Sequence, residues 1–153
     1  MKTAMIAAAL ATGVTALTTL PAIPAHATPI SVLREYKVYK SSATGLCLDS
    51  NGDGNVYTHA CNGGNFQKWE VRDDTRGNMF LWNVATKLCL DSTSGGQVYT
   101  LYCNGGDYQR WNGTYAGANT LWHLATGFCL DSNTARKVYL LRCNGGNYQK
   151  WLS

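Results

Sequence analysis

Residues 89–111 read CLDSTSGGQVYTLYCNGGDYQRW, and the same frame recurs on either side, as CLDSNGDGNVYTHACNGGNFQKW at 47–69 and CLDSNTARKVYLLRCNGGNYQKW at 129–151. The windows align over 23 residues without a gap, and 12 positions are identical in all three. Successive offsets are 42 and 40 residues, so the chain is a threefold internal duplication. Such a unit cannot bury its apolar face alone and is completed by packing against copies of itself. Within each window, short Val/Tyr/Leu/Trp stretches alternate with Gly/Asn/Asp clusters, the pattern of short strands joined by tight turns. The fold class expected is all-β. A unit of this length also suits a propeller blade, but three blades fall below the usual four to eight. A closed threefold barrel fits better.

The six cysteines sharpen this. Cys47/Cys61, Cys89/Cys103 and Cys129/Cys143 are each 14 positions apart. Six cysteines allow 15 connectivities, and the identical spacing makes pairing within repeats the simplest. Each bridge then closes a loop of about 15 residues, worth roughly 3 kcal/mol on the chain-entropy account. With no C-x-x-C and three equal spacings, the thiols read as structural.

Upstream, Met1-Lys2, an apolar run from Ala4 to Leu20, Pro21, Pro24 and Ala25-His26-Ala27 have the form of a secretory signal peptide cleaved after Ala27. The alternative, a membrane anchor, is at the short limit for a bilayer core of about 30 Å, and the run ends in helix breakers. The expected organisation is a leader at 1–27, an N-terminal segment at 28–36 and a domain at 37–153, with repeats near 37–74, 75–115 and 116–153. Export suits an even cysteine count. The mature chain carries net charge +3 with no dense basic stripe. That argues against a nucleic-acid partner, and Arg136-Lys137 with Arg142 reads as solvated surface.

Each recurring position suits a role. Trp69, Trp111 and Trp151 bring large apolar area and one indole donor that needs a partner when buried, so they read as core. Gln67, Gln109 and Gln149 lie two residues earlier, on the same strand face. A buried Gln needs hydrogen-bond partners, and bracing the lobe is favoured over orienting a pocket residue. Asp49, Asp91 and Asp131 each offer a carboxylate that accepts from two hydroxyls at once, as a pyranose presents them; the other reading is a turn cap before Ser and Gly. Tyr57, Tyr99 and Tyr139 offer an apolar ring face and a hydroxyl, or simply strand packing. Asn62, Asn104 and Asn144 precede Gly-Gly, which permits close backbone approach or marks a plain turn. Phe66, Tyr108 and Tyr148 form a possible second aromatic wall.

Three in-register Q-x-W motifs (Gln67-Lys68-Trp69, Gln109-Arg110-Trp111, Gln149-Lys150-Trp151), with the Cys-Leu-Asp blocks upstream, resemble the ricin B-type lectins. The Leu-Asp-Ser, Val-Tyr and Asn-Gly-Gly blocks are most similar to the actinohivin-like mannose-binding members. The resemblance covers roughly residues 37–153. It implies a β-trefoil of three four-stranded lobes about a pseudo-threefold axis, with one carbohydrate pocket per repeat. Carried over by position, the pockets comprise Asp49, Tyr57, His59, Asn62 and Phe66; Asp91, Tyr99, Leu101, Asn104 and Tyr108; and Asp131, Tyr139, Leu141, Asn144 and Tyr148. Three departures bear on function. Phe66 lacks the hydroxyl of Tyr108 and Tyr148. His59 replaces an apolar contact. Ala60, Tyr102 and Arg142 stand where the family pattern has proline. The second site is therefore expected to be strongest and the first weakest.

Rival readings are few. Asp49 to Gly54 mimics the start of an EF-hand, but its twelfth position is Ala60, which cannot ligate calcium. His59 and His123 lack metal-ligand spacing, and Asp73-Asp74 reads as a solvated loop. Asn112-Gly113-Thr114 is a formal glycosylation sequon. No catalytic set stands out, and neither cofactor nor metal is expected. The expectation is a secreted, non-enzymatic, monomeric lectin whose partners are glycans, high-mannose glycans above all, without membrane insertion. A module for xylan or galactosides is the first alternative; a trefoil inhibitor or structural protein is the second.

Overall fold

The computed structural model describes residues 35–115 and 118–153. The expected leader at 1–27 and most of the segment 28–36 lie outside the described residues. The first repeat supplies β1 (Tyr36–Lys37), β2 (Lys40–Ser41), β3 (Cys47–Ser50), β4 (Val56–His59) and β5 (Trp69–Asp73). The second supplies β6 (Met79–Asn83), β7 (Cys89–Ser92), β8 (Val98–Leu101) and β9 (Trp111–Tyr115). The third supplies β10 (Ala118–His123), β11 (Cys129–Ser132), β12 (Val138–Leu141) and β13 (Trp151–Leu152). Each repeat thus has four strands, the first of them interrupted in repeat one at Val38–Tyr39. The all-β trefoil expectation holds.

The outer strands of the repeats build the barrel. β1 pairs with β5, β5 with β6, β6 with β9, and β9 with β10. β10 lies against β13, and β13 pairs with β2. The remaining hairpins, β3–β4, β7–β8 and β11–β12, share one register. Leu48 faces Thr58, Leu90 faces Thr100 and Leu130 faces Leu140 on the inner side. Strand alternation sends Asp and Tyr of the same hairpins to the outer side.

Three backbone hydrogen bonds tie the hairpins into a ring. Thr100 N–H donates to the Gly54 carbonyl (2.8 Å), Leu140 N–H to Gly96 (2.8 Å) and Thr58 N–H to Arg136 (3.0 Å). Single β-bridges flank them: Asn55 with Tyr99, Gln97 with Tyr139, and Tyr57 with Lys137. Gly54 and Gly96 have φ of +84° and +86°, and a Cβ on either would stand 3.0 Å from the Thr100 or Leu140 carbonyl oxygen. Conformation and space both favour glycine there, while the third repeat holds Arg136 in the same left-handed place at φ +65°.

The core is a set of threefold-related layers: Trp69/Trp111/Trp151, Leu48/Leu90/Leu130, Tyr39/Leu81/Leu121 and Val56/Val98/Val138, all buried. Each indole Nε1–H finds a carbonyl two strands back, at Leu48 (3.2 Å), Leu90 (3.1 Å) and Leu130 (3.0 Å). The three tryptophans are core, as their periodicity requires. The cysteines pair within repeats: Cys47–Cys61, Cys89–Cys103 and Cys129–Cys143.

Candidate functional site

Each disulfide pins the Asn-Gly-Gly loop over the outer face of its own hairpin. A short 3₁₀ turn follows (Asn65–Gln67, Asp107–Gln109, Asn147–Gln149) and drives the glutamine inward. Gln109 Nε2–H donates to Asp91 Oδ2 (2.8 Å) and to the Tyr102 carbonyl (2.9 Å), while its Oε1 accepts from Asn104 N–H (2.8 Å). Gln67 makes the same three bonds, to Asp49 (2.7 Å), Ala60 (2.9 Å) and Asn62 (2.9 Å). Gln149 repeats them with Asp131 (2.9 Å), Arg142 (3.0 Å) and Asn144 (2.8 Å). The bracing role expected of these residues is therefore incomplete. The same amide braces the lobe and orients the pocket carboxylate. The carbonyls of Ala60, Tyr102 and Arg142 serve this bond, which needs no proline ring.

The aspartates sit in mid-strand, directly opposite Tyr57, Tyr99 and Tyr139. They are not turn caps. That job belongs to the next residue but one: Asn51 and Asn133 Oδ1 accept from Asn55 and Lys137 N–H, and Thr93 Oγ1 from Gln97 N–H. The Tyr57 and Tyr139 hydroxyls donate to the Ser50 and Ser132 carbonyls, each at 3.5 Å, and each tyrosine of the three lies opposite its aspartate. Burial first, and then the charge of the facing aspartate, raise the phenols of Tyr57, Tyr99 and Tyr139 above their ordinary range, so all three remain protonated donors. Burial also pushes the Asp131 carboxyl up, against hydrogen bonds from Gln149, Ser132 and Tyr139. One oxygen of each carboxylate is taken by the glutamine. Asp91 Oδ1 also accepts from Ser92 N–H at 2.6 Å; a carboxylate has about four lone-pair sites, so acceptor capacity remains on a group that is itself nearly buried.

Asn62, Asn104 and Asn144 behave alike. Each Oδ1 accepts from the second glycine's N–H at 2.7 Å, closing an Asx-type turn. The turn reading is correct as far as the carbonyl goes. The same bond fixes the amide end, whose Nδ2 is left as a donor on an exposed residue.

In the second repeat these groups converge. Asp91, Tyr99, Leu101, Asn104 and Tyr108 line one open depression of about 340 Å³, together with Ser92, Thr93 and Ser94. Thr93 and Ser94 carry no repeating signal; they lie in the turn that varies between repeats. Leu101 and Tyr108 are each 42 % exposed, so the rim presents apolar surface to solvent. The first and third repeats place their residues at the same register positions. Cys47 faces His59 where Cys129 faces Leu141, and Phe66, Tyr148 and Leu141 are exposed at the rim. In repeat one the His59 ring stands edge-on to Tyr57, centroids 6.5 Å apart.

The wall residues are held from behind by the following repeat. Asn83 Nδ2–H donates to the Phe66 carbonyl (2.8 Å). At the equivalent place His123, fully buried, puts Nε2 at 2.9 Å from the Tyr108 carbonyl and 3.0 Å from Ser92 Oγ, with Nδ1 at 2.9 Å from Thr126 Oγ1. Nε2–H donates and Nδ1 accepts, which is the neutral ring. Burial lowers its pKa, opposed by the Tyr108 carbonyl and the charge of Asp91. Its position behind the pocket wall comes from the fold. As a lone histidine with no metal spacing, it gave no such signal in the sequence.

The expected solvated loop at Asp73-Asp74 needs correction. Asp73 is exposed, but Asp74 accepts from Arg76 and Asn78 N–H, each at 2.8 Å, and pairs with Arg110 at 3.1 Å. What burial does to raise its pKa, these hydrogen bonds and the guanidinium reverse, and the carboxyl lies below its usual range. Asp74 is a turn anchor. Among the described residues no group of three His, Cys, Asp or Glu side chains is placed to hold a metal, and no helix is long and apolar enough to cross a membrane.

Three lobes, a ring of inter-lobe bonds and a recurring Asp–Tyr–Asn constellation define a β-trefoil of the carbohydrate-binding class. The family model of the ricin-type β-trefoil lectin domain matches residues 35–151, and the chain belongs to that family. Among solved structures it is similar to a designed threefold-symmetric protein, ThreeFoil, at 29 % identity and a TM-score of 0.69, over 76 % of this chain and 95 % of that one. It is also similar to the hemolytic lectin CEL-III, at 24 % identity and TM-score 0.64, over 76 % of this chain and 29 % of that one. An exo-β-1,3-galactanase from Clostridium thermocellum matches at 21 % identity and TM-score 0.67, over 80 % of this chain and 30 % of that one. The last two likenesses show the fold alone.

Proposed function

We propose that the chain is a secreted, multivalent, non-catalytic lectin for mannose-type glycans, with one pocket per repeat. The observation that carries this reading is the depression of the second repeat, where a held carboxylate, a tyrosine, an oriented asparagine amide and an apolar rim meet within about 340 Å³. A pyranose offers hydroxyl pairs to the first groups and a C–H face to the rim. Each pocket is shallow and exchanges water hydrogen bonds for protein ones at small net gain. Affinity therefore resides in multivalency, which adds a factor of about 10² to 10⁴ when several sites engage one branched ligand. The sites are unequal, with the second strongest and the first, bearing His59 and Phe66, weakest.

The test is a glycan array with competition by dimannose, repeated on a variant with Asp49, Asp91 and Asp131 all changed to Ala. Selective high-mannose binding, abolished in a folded triple variant, is the expected result. A flat response across mannosides, or unchanged binding by the triple variant, sinks it. A selective response to galactosides or xylan replaces mannose by that sugar and keeps the pockets.

A further inference from the structure

We propose that the outer face of the β5–β6 hairpin is a second kind of site, for anionic glycans bearing carboxylate or sulfate groups. Tyr36, Glu70 and Trp82 form a cross-strand row over β1, β5 and β6, with Arg72 opposite Phe80 one step along. Their neighbours Val71 and Leu81 point into the core, so this row faces out. It borders two hollows. One of about 290 Å³ is lined by Tyr36, Glu70, Trp82, Val84 and Lys87. The other, about 170 Å³, is lined by Arg72, Phe80 and the Cys89/Cys103/Gly105 edge, and so adjoins the loop that carries Asn104.

The charge on this face is unbalanced. Lys68 Nζ stands 4.8 Å from the Tyr36 ring centre, while Arg72 (4.1 Å) and Lys87 (4.6 Å) stand over Trp82. The local carboxylate, Glu70, is met by Arg72 Nε at 3.1 Å and Nη2 at 3.3 Å. Lys68 and Lys87 reach an amide oxygen and a carbonyl instead, at Asn65 (3.3 Å) and Val84 (2.6 Å). Two ammonium groups over aromatic rings therefore lack a carboxylate partner among the described residues. An acidic sugar supplies both needs: a C–H face for the rings and an anion for the lysines.

Lys87 gives a separate reason. Its φ is +65°, in a position that the other repeats fill with Gly45 and Gly127 at +70° and +72°. A left-handed conformation costs a non-glycine residue roughly 1–2 kcal/mol, and such strain concentrates at ligand clamps. Nor is the face a by-product of the duplication. At the equivalent β9–β10 hairpin, Glu70, Arg72 and Phe80 become Asn112, Thr114 and Thr120, and only Trp82 keeps its counterpart, Trp122.

The experiment uses the full secreted chain with three probes of equal length: an oligogalacturonate, a sulfated heparin fragment and a neutral mannan fragment. Binding of one or both anionic probes is expected, weakening as salt rises through about 0.1 M, where the Debye length falls to about 10 Å. Lys87→Gly restores the glycine of the other repeats, so it should fold at least as well and bind the anionic probe about fivefold more weakly. Trp82→Ala should cost about tenfold. The Asp49/Asp91/Asp131→Ala variant should keep anionic binding while losing the mannan fragment, which separates this inference from the pocket reading. No anionic binding at low salt, binding unaffected by both Lys87→Gly and Trp82→Ala, or binding lost with the three aspartates overturns it. If only one anionic probe binds, that group is the ligand.

Discussion

Replacing Gln109 by Met keeps the length and flexibility of the side chain and removes the amide that holds Oδ2 of the second pocket's carboxylate, while Ser92 N–H stays on Oδ1. Three bonds disappear together, to Asp91, Tyr102 and Asn104. Asp91 is 2 % exposed, so water cannot replace the bond to Oδ2, and a hydrogen bond to a charged group is worth about 1.5–3 kcal/mol. Tyr102 is 80 % exposed and Asn104 sits in an exposed loop, so water recovers most of the other two; they add about 1 kcal/mol between them. The expected loss is therefore about 3 kcal/mol, or roughly 10 °C in Tm for a domain of this size. Urea and thermal unfolding with the disulfides intact measure it. Amide NMR should place the disturbance in residues 102–109 and leave the homologous loops of repeats one and three unchanged. A loss below about 1 kcal/mol, or a disturbance spread evenly over all three lobes, would refute the claim that the glutamine holds its own pocket's carboxylate.

Three further outcomes are expected. Thr58 and Thr100 bury hydroxyls without a partner where the third repeat has Leu140, so Thr100→Val should raise the unfolding free energy by about 1 kcal/mol or more; destabilisation would show a hidden partner. Gly96→Ala should cost at least about 1–2 kcal/mol from the left-handed conformation alone, with a further loss from the 3.0 Å approach to the Leu140 carbonyl, read by chemical denaturation. His123 has its pKa lowered by burial, so below about 6.5 the unfolded chain binds more protons than the folded one. Its contribution is complete above that pH and is lost as pH falls toward the folded value. Acid titration of stability should therefore show a component that disappears in His123→Asn, the residue type that Asn83 supplies at the equivalent place; an unchanged titration would exclude His123 as its source.

The two levels of organisation were legible to different degrees. The repeat exposed the fold because identical spacing of Cys, Val-Tyr and Gln-x-Trp records which residues pack in every lobe. Period-two alternation then placed Leu48 inward and Asp49 outward. Legibility failed where a side chain serves a partner remote in the chain. Gln109 reaches Asp91 across 18 positions, and His123 reaches Ser92 across 31. The Asp–Gln interval recurs in every repeat without saying that the two side chains touch, and the interval from His123 to Ser92 has no signature. Asp74 is hidden for the same reason: a charged, turn-rich stretch looks solvated until Arg110, far along the chain just before β9, is seen beside it.

What the amino-acid order determined was the repeat, its internal disulfides and the residues on each lobe's outer face, since these depend on spacing within 23 residues. What only the tertiary structure decided was how unlike neighbours modify three like lobes. Asn83 and His123 stand behind successive walls, and a cationic aromatic face runs across β1, β5 and β6, where the first and second repeats meet. Duplication copies a lobe's own residues, but the surroundings of each copy come from closing the ring, and contacts across that closure join residues that no local pattern relates.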